Sequence, residues 1–256
     1  MKKPIFLLVI IVMNLYSYTY GQNSSDKEQN SSKEQGWEFT LAPYIMIPWV
    51  SGDIIINGND ENINSTPGDL LKSFELGGML YFEAANPKWS VSADFIFAKV
   101  GNDFTLPLTQ RKGKIEATTN FAGIYGMYRV VDWFEIGLGG RFNIVDSSLK
   151  VEPGQILPSI DDNASDTWFD PLITYRFTVP IANEKWYAGL RGDIGGFGVG
   201  SDFAWMVFPA GGYRFSHLFE LSLGFRAMGL DFKNDDRSHE VKLNFYGPQI
   251  GFLFHF

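Results

Sequence analysis

The stretch "YGPQIGFLFHF" at 246–256 alternates between two kinds of side chain up to its last residue. Successive side chains of a strand point to opposite faces, so every second residue shares a face. One face is apolar and aromatic throughout: Ile250, Phe252, Phe254 and Phe256. A soluble domain usually keeps a polar, fraying terminus. The stretch therefore predicts a terminal strand that is paired with neighbours and turns one face toward an apolar medium.

The same period of two recurs along the chain, and helical periodicity is nearly absent. We predict ten strands at these positions: 37–47, 74–85, 89–100, 114–129, 133–145, 168–179, 186–197, 203–215, 219–230 and 241–256. Ten is an even number, as single-chain bacterial barrels require, and each segment is long enough to cross the hydrocarbon at a tilt.

The links between these segments alternate in length. Four are short, at 86–88, 130–132, 181–185 and 216–218, and the longer ones lie at 48–73, 101–113, 146–167, 198–202 and 231–240. Short periplasmic turns and long outer loops are typical of outer-membrane barrels. The sequence therefore predicts an all-β fold, a transmembrane antiparallel up-and-down β-barrel of about ten strands. Both termini would be periplasmic.

The N-terminal region predicts export. Lys2 and Lys3 precede an apolar run at 5–13, and small residues Thr19 and Gly21 precede a cleavage site, which together resemble a signal peptide over 1–21. A polar segment at 22–36 reads as a disordered tether, followed by the barrel at 37–256. The alternative reading of the first residues is a membrane anchor. The chain has no cysteine, which excludes a disulfide framework.

Aromatic residues sit where the predicted strands meet the short turns. Six of them define a predicted girdle at one depth of the membrane: Trp37, Trp89, Trp133, Trp186, Phe219 and Phe256. We expect Trp49, Trp168 and Trp205 to form a second belt at the other end. The alternative is that these residues are core aromatics of a soluble β-sandwich.

One face of the strands is charged. In "WFEIGLGGRFNI" at 133–144, Glu135, Arg141 and Asn143 alternate with apolar residues. Charges of both signs suit a soluble core poorly, so we assign the apolar face to lipid and the charged face to the lumen. The predicted lumen charges are Glu38, Glu83, Asp94, Glu116, Glu135, Arg141, Asp170, Arg176, Arg191, Asp193, Arg214, Glu220 and Arg226, with Glu75 in a more peripheral place.

These charges predict a salt-bridge network across a largely filled lumen. The network either satisfies a polar interior or acts as a gate.

Two further features of the sequence lead to predictions: four prolines within strands and the long link at 48–73. Pro43, Pro171, Pro209 and Pro248 fall inside strands, which predicts bulges or, alternatively, an opening toward lipid. The long link at 48–73 predicts a small hairpin and a short helix after Pro67, with Asp69 at the helix N-terminus. Links of this length usually have a role, so we expect a cap or partial plug, with a mobile surface loop as the alternative.

Several motifs resemble one family. The chain contains "WEFTLAPYIMIPWVSG", "GDLLKSF", "WFDPLITYRF" and, most specific, "LRGDIGGFGVGSD" at 190–202. Together with the aromatic terminus they resemble a family of uncharacterised bacterial outer-membrane β-barrel proteins over Trp37–Phe256. The resemblance implies the fold and the location and supplies no activity. Ile250, Phe252, Phe254 and Phe256 also resemble the signal that the barrel-assembly machinery recognises.

Three function classes follow. The first is a small outer-membrane barrel with a narrow charged lumen and a gated passage for ions or a small solute. The second is a sealed structural or binding barrel, and the third is a membrane-embedded lipid-modifying enzyme or protease. None of the three histidines forms an obvious catalytic triad with a nucleophile. We therefore predict a non-enzymatic monomer without cofactor or metal. Its partners would be outer-membrane lipid and the assembly machinery, and its net charge of −8 argues against nucleic acid.

Overall fold

The computed structural model describes residues 36–56, 59–105, 111–154, 159–182, 185–233 and 239–256. The predicted signal peptide and, except for residue 36, the predicted tether lie outside these ranges. Within the described residues the chain forms twelve strands and one helix. They are β1 Glu38–Met46, β2 Trp49–Ile56, β3 Asn59–Ser65, α1 Pro67–Ser73, β4 Phe74–Ala85, β5 Trp89–Thr105, β6 Lys112–Val131, β7 Phe134–Val151, β8 Ile160–Ala182, β9 Trp186–Gly195, β10 Ser201–Arg214, β11 Phe219–Lys233 and β12 His239–His255.

Ten of these strands close into a cylinder. β1 and β4 to β12 pair antiparallel in that order, and β12 pairs back onto β1 with Thr40 opposite His255. The Phe256 amide donates to the Phe39 carbonyl over 3.0 Å, and the Phe39 amide donates to the Phe256 carbonyl over 2.9 Å. The predicted fold class, an up-and-down barrel of about ten strands, is confirmed, and the C-terminal stretch is its closing strand.

The two faces of the wall differ as the alternation predicts. Leu138 on the outer face is 69% exposed, whereas Arg141 on the inner face is 4% exposed. We call the short-turn end, where Phe39 and Phe256 pair, the lower rim, and the opposite end the upper rim. None of the helices in the described ranges has the length and apolar character needed to cross a bilayer as a helix.

The outer face carries an apolar belt that ends well below the upper rim. Across β5 to β8, one paired outward row is Phe95, Ala122, Phe142 and Phe169. Four residues further up β5, the corresponding row is Lys99, Thr118, Asp146 and Ser165. From Trp89 to Phe97 the apolar part of β5 spans about 26 Å along the strand, or about 20 Å at a tilt of about 40°. This height approaches the apolar band of about 25 Å on membrane barrels.

The strands run further toward the upper rim than the sequence predicted. β6 has 20 residues and β8 has 23, because most of the predicted long links at 101–113 and 146–167 are themselves paired strand. The prediction ended each strand where the apolar alternation ended. The hydrogen-bonded ladder continues above it with polar residues on the outer face, so the wall projects beyond the apolar belt.

The bulges expected at the four strand prolines are absent from the structure. Pro43 pairs with Leu80, and Pro248 pairs with Phe225, without a shift of register. The registers on either side of Pro171 and Pro209 are also continuous. A proline lacks one amide donor on one side of its strand, so the ladder can lose a single bond without reorganising.

The segment at 48–73 contains both elements expected from its sequence. β2 pairs with β3, and α1 begins at a capping box in which Thr66 and Asp69 bind each other's backbone amides. β2 also pairs with the upper half of β12, from Trp49 opposite Tyr246 to Ile56 opposite His239. The hairpin therefore extends the wall above β1, after a break at 47–48. That the segment caps the mouth remains a prediction.

Gly52 enables this extension, and its replacement by alanine is expected to release β2 from β12. Its φ of +148° lies in the region that favours glycine, and an added Cβ would overlap the Lys242 carbonyl oxygen. Strain of this kind costs about 1–3 kcal/mol. Hydrogen exchange should accelerate at 239–246 and stay slow at 249–255. Gly78→Ala is the control, because its Cβ meets no atom within 4 Å. Unchanged exchange at 239–246 would contradict this role for Gly52.

Candidate functional site in the barrel interior

Two arginines and two glutamates form a cluster in the lower interior. Arg176 forms ion pairs with both Glu83 and Glu135, and Arg129 binds Glu135 at 2.9 Å. The Tyr81 hydroxyl also donates to Glu83 over 2.6 Å. These side chains come from β4, β6, β7 and β8, so the cluster links strands across the lumen. We call it the lower charge layer.

A second group lies nearer the middle of the barrel. The Tyr44 hydroxyl donates to Asp94 over 2.6 Å, and Arg226 contacts the same carboxylate at 3.2 Å. Arg226 also donates to the Tyr44 oxygen over 3.1 Å and lies 5.2 Å from the centre of the Phe208 ring. All three polar side chains are buried, so each charge is held by a partner on another strand.

Arg191 is held differently. Its guanidinium lies between two tyrosine rings, 5.1 Å from the centre of Tyr81 and 4.4 Å from that of Tyr125. Nearby, Arg141 and Asp193 approach each other to 3.8 Å, a long ion pair between two buried side chains. Cation–π contacts of this kind stabilise a cation most strongly when it is desolvated. In the middle of the barrel, tyrosine rings therefore stabilise buried arginines as the carboxylates do.

The sequence reasoning missed the lumen tyrosines and Arg129. Tyr44 has the same parity on β1 as Glu38, and Tyr81 the same parity on β4 as Glu83, so their inward direction could have been predicted. Arg129 has the same parity on β6 as the buried Tyr125 and Met127 and pairs in register with Glu135, so its inward direction could have been predicted as well.

The upper interior is apolar, which the sequence reasoning also missed. The buried cluster consists of Phe121, Trp168, Met206, Met228, Leu230, Phe232, Val241 and Leu243. Trp168 stacks on Phe232 with ring centres 4.2 Å apart. On β11 the residues that continue the parity of Arg226 are Met228, Leu230 and Phe232, so the change from charged to apolar was present in the sequence. We call this cluster the apolar layer.

Trp168 corrects one expectation. It was expected in an outward belt, but its side chain is 6% exposed and lies inside the barrel. It has the parity of Asp170 on β8, which the sequence reasoning had itself assigned to the lumen.

Asp170 organises the glycine-rich hairpin between β9 and β10. Its carboxylate accepts hydrogen bonds from the Ser201 amide at 2.6 Å, from Asn143 at 2.8 Å, from the Ser201 hydroxyl at 3.1 Å and from Trp168 at 3.3 Å. In the hairpin, Gly196 and Gly198 have positive φ, and a Cβ on Gly200 would overlap the Phe169 carbonyl. The glycines let the chain turn tightly against Asp170.

The charged and apolar layers are in close contact. Between them lies a cavity of about 10 Å³ whose lining includes Asp94, Phe121, Arg141, Met206 and Arg226. A volume of this size holds about one water molecule. The side chains therefore fill the barrel at this level.

The remaining predicted lumen charges lie at the lower rim or outside. Glu38 is exposed at the rim, and Glu220 contacts Arg214 at 3.4 Å and His255 at 3.6 Å. Glu75 and Glu116 were expected inside, but they bind Lys99 and Lys114 on the outer face, at 2.7 to 3.1 Å.

The two lysines explain the outward position of these glutamates. A bulge between Phe74 and Leu76 displaces Glu75, and Glu116 shares the outward parity of Lys114. Hydrogen bonds from Lys99 and Lys114 lower the pKa of Glu116 to about 2, so the cluster stays charged above the apolar belt.

The predicted girdle residues are surface residues. Trp37, Trp89, Trp133, Trp186 and Phe256 are exposed, and Phe219 is half-buried. In the predicted insertion signal, Phe252 and Phe254 are exposed and Ile250 is half-buried. Among the described residues, no group of histidine, aspartate and glutamate side chains has an arrangement that could hold a metal ion.

The chain resembles several solved structures at low sequence identity. No protein-family model and no curated protein matches the sequence. Ail, the attachment invasion locus protein of Yersinia pestis, is 12% identical, with 86% of this chain and 99% of that chain covered and a TM-score of 0.37. The P. putida toluene transporter TodX is 7% identical, with 86% and 89% covered and a TM-score of 0.37. At these values no ligand and no residue role carries over to this chain.

A third similar structure corrects the prediction that the chain is not an enzyme. The outer-membrane protease OmpT from Escherichia coli is 10% identical, with 90% of this chain and 99% of that chain covered and a TM-score of 0.39. Barrels of this general form therefore include an enzyme, and the architecture gives no ground for that exclusion.

Proposed function

We propose that this chain is a small outer-membrane barrel whose interior is closed to ions and that it acts as a binding barrel. One observation supports the proposal: the barrel interior is charged in its lower and middle parts and apolar above them. Arg176 and Arg226 pair with carboxylates across the lumen, Arg191 lies between two tyrosine rings, and the apolar layer lies directly above these groups.

Each layer opposes ion flow for its own reason. An ion crossing the lower and middle interior would have to displace partners held at 2.6 to 3.2 Å. An ion in the apolar layer would lose its hydration without gaining polar ligands, and apolar constrictions of this kind block conduction by dewetting. Barrels of about eight strands have an interior just wide enough to be filled by side chains. The gated passage considered from the sequence would require both layers to rearrange.

The first prediction is that the purified barrel is silent in planar bilayers. Arg191→Ala is expected to be silent too, because the apolar layer above it stays intact. Insertion is checked by the mobility difference between folded and heated protein on gels. Discrete, salt-dependent openings of the wild type would overturn the closed-barrel proposal. Openings in Arg191→Ala alone would show that the charge network acts as a gate.

The outer membrane is the proposed location, with both termini periplasmic. The apolar belt, the short turns at the lower rim and the exposed aromatics there support this orientation. The terminal strand, read by the assembly machinery, would close a monomer. Epitope tags next to Trp37 and within 234–238 test the orientation in whole cells. Only the second tag should be accessible from outside.

A further inference from the structure

The wall of the barrel is not paired along its whole height. β1 pairs with β4 from Glu38 opposite Ala85 only as far as Tyr44 opposite Met79. Above that pair, β2 follows β12 and carries β3 on its other side, while Phe74 to Gly78 of β4 pair with β5 alone. In the described part of the chain, no strand pairing joins β3 to β4. We call the interval between them the seam.

Exposure agrees with an opening at this place. Below the bulge, Gly77 and Gly78 are both exposed, although successive residues of a strand face opposite sides of the wall. Phe74, Glu75 and Leu76 are exposed as well, Glu75 because the bulge displaces it. Leu71 on α1, which links β3 to β4, and Leu76 on the outer face of β4 are each 59% exposed, so large apolar side chains lie beside the seam.

Apolar side chains continue from the seam into the interior. Val50 on β2 and Ile63 on β3 pack against the apolar layer from one side, and Ile96 on β5 packs against it from the other. Met206 and Met228 belong to the same layer. Methionine is flexible and fills irregular gaps, so this packing can adjust to an inserted chain. The seam and the apolar layer thus form one apolar region that reaches the outer surface.

The seam opens at a defined depth. Its lower end is Gly78, which pairs with Phe97, the last apolar residue on the outer face of β5. Two residues higher, Leu76 pairs with Lys99. Lys99 belongs to the charged cluster with Glu75, Lys114 and Glu116. The apolar opening therefore lies at the upper edge of the belt, next to charges at headgroup level. In a membrane, the molecules that combine these two features at this depth are outer-leaflet lipids.

We infer that the seam admits one acyl chain of an outer-leaflet lipid, which binds in the apolar layer while its headgroup stays beside the charged cluster. The inference rests on the proposed function, because it names the ligand of the binding barrel and its route. The opening suggested by the strand prolines is thus placed at an unpaired edge of the wall, just above Pro43 and away from the other three prolines.

Trp168 provides the reporter, because its indole is buried inside the apolar layer. The full chain is reconstituted with phospholipids brominated on the acyl chains, in a variant whose other six tryptophans are phenylalanine. We expect a loss of Trp168 emission comparable to that of a matched variant that keeps only the exposed Trp89. Emission equal to that in unbrominated lipid would overturn the inference. If the multiple variant does not fold, the wild type is compared with Trp168→Phe, and the same two outcomes decide.

Two single substitutions locate the route. Leu76→Asp places a charge on the lip of the seam and should restore much of the Trp168 emission in brominated lipid. Val199→Asp, at another exposed apolar position on the β9–β10 hairpin, should leave the quenching unchanged. Equal effects of both would contradict entry through the seam. A silent bilayer with unquenched Trp168 defeats only this inference, whereas a conducting wild type defeats the closed-barrel proposal.

Discussion

Arg176→Met is expected to lower the free energy of unfolding by about 3–5 kcal/mol, the usual cost of removing one partner from a buried charge pair. Arg176 is the shared partner of Glu83 and Glu135, whose side chains are 14% and 7% exposed. Methionine would leave two carboxylates facing each other without this cation. Urea unfolding of the barrel in lipid vesicles, followed by tryptophan emission, measures the change.

Arg214→Met is the matched control. Arg214 pairs with a buried glutamate as well, but its own side chain is 50% exposed at the lower rim. Water screens such a pair, so the loss should stay below about 1 kcal/mol. Adding Glu83→Gln to Arg176→Met should recover part of the stability, because one stranded charge is removed. If Arg176→Met and Arg214→Met lose equal stability, the lower charge layer does not hold the wall together.

The fold was predictable because its signals are local. Alternation, the even count of segments and the alternation of link lengths each act over a few residues and together specify an up-and-down barrel. The closing strand at 246–256 could be recognised for the same reason. The inward direction of Glu135 and Arg141 followed from parity alone.

The composition of the interior was only partly predictable. The parity that placed Arg226 inside also placed Met228 and Leu230 inside, but the charged residues were taken to represent the whole lumen. Trp168 was assigned by residue type although its parity with Asp170 pointed inward. Both errors gave residue type more weight than position.

The seam could not be predicted from the sequence. The seam depends on which strands pair with each other. β1 pairs with β4, but β2, which follows β1, pairs with β12 and not with β4. Pairing partners are set by the three-dimensional fit of whole strands, and a single sequence holds no direct record of them. The bulge at Glu75, which moved this charge to the outer face, is of the same kind.

Asp170→Ala is expected to destabilise the barrel by at least about 3 kcal/mol, since each buried donor left unpaired costs about 1–3 kcal/mol. Asp170 is fully buried and receives hydrogen bonds from Ser201, Asn143 and Trp168. Without the carboxylate these donors would lose an acceptor and the hairpin its anchor. Unfolding in urea gives the energy, and a red shift of the emission of a Trp168-only protein reports water at the indole.

Asp202→Ala separates this role from a general effect of removing a charge near the hairpin. Asp202 follows Ser201 directly, and its side chain is 57% exposed in an ion pair with Lys233 at 3.3 Å. Its loss should change stability by less than about 1 kcal/mol and leave the Trp168 spectrum unchanged. If Asp170→Ala behaves like Asp202→Ala, the hairpin is held by its glycines and the ladder alone. If only Asp170→Ala lowers the urea concentration of unfolding and shifts the Trp168 emission to the red, the Asp170 carboxylate couples the hairpin to the apolar layer.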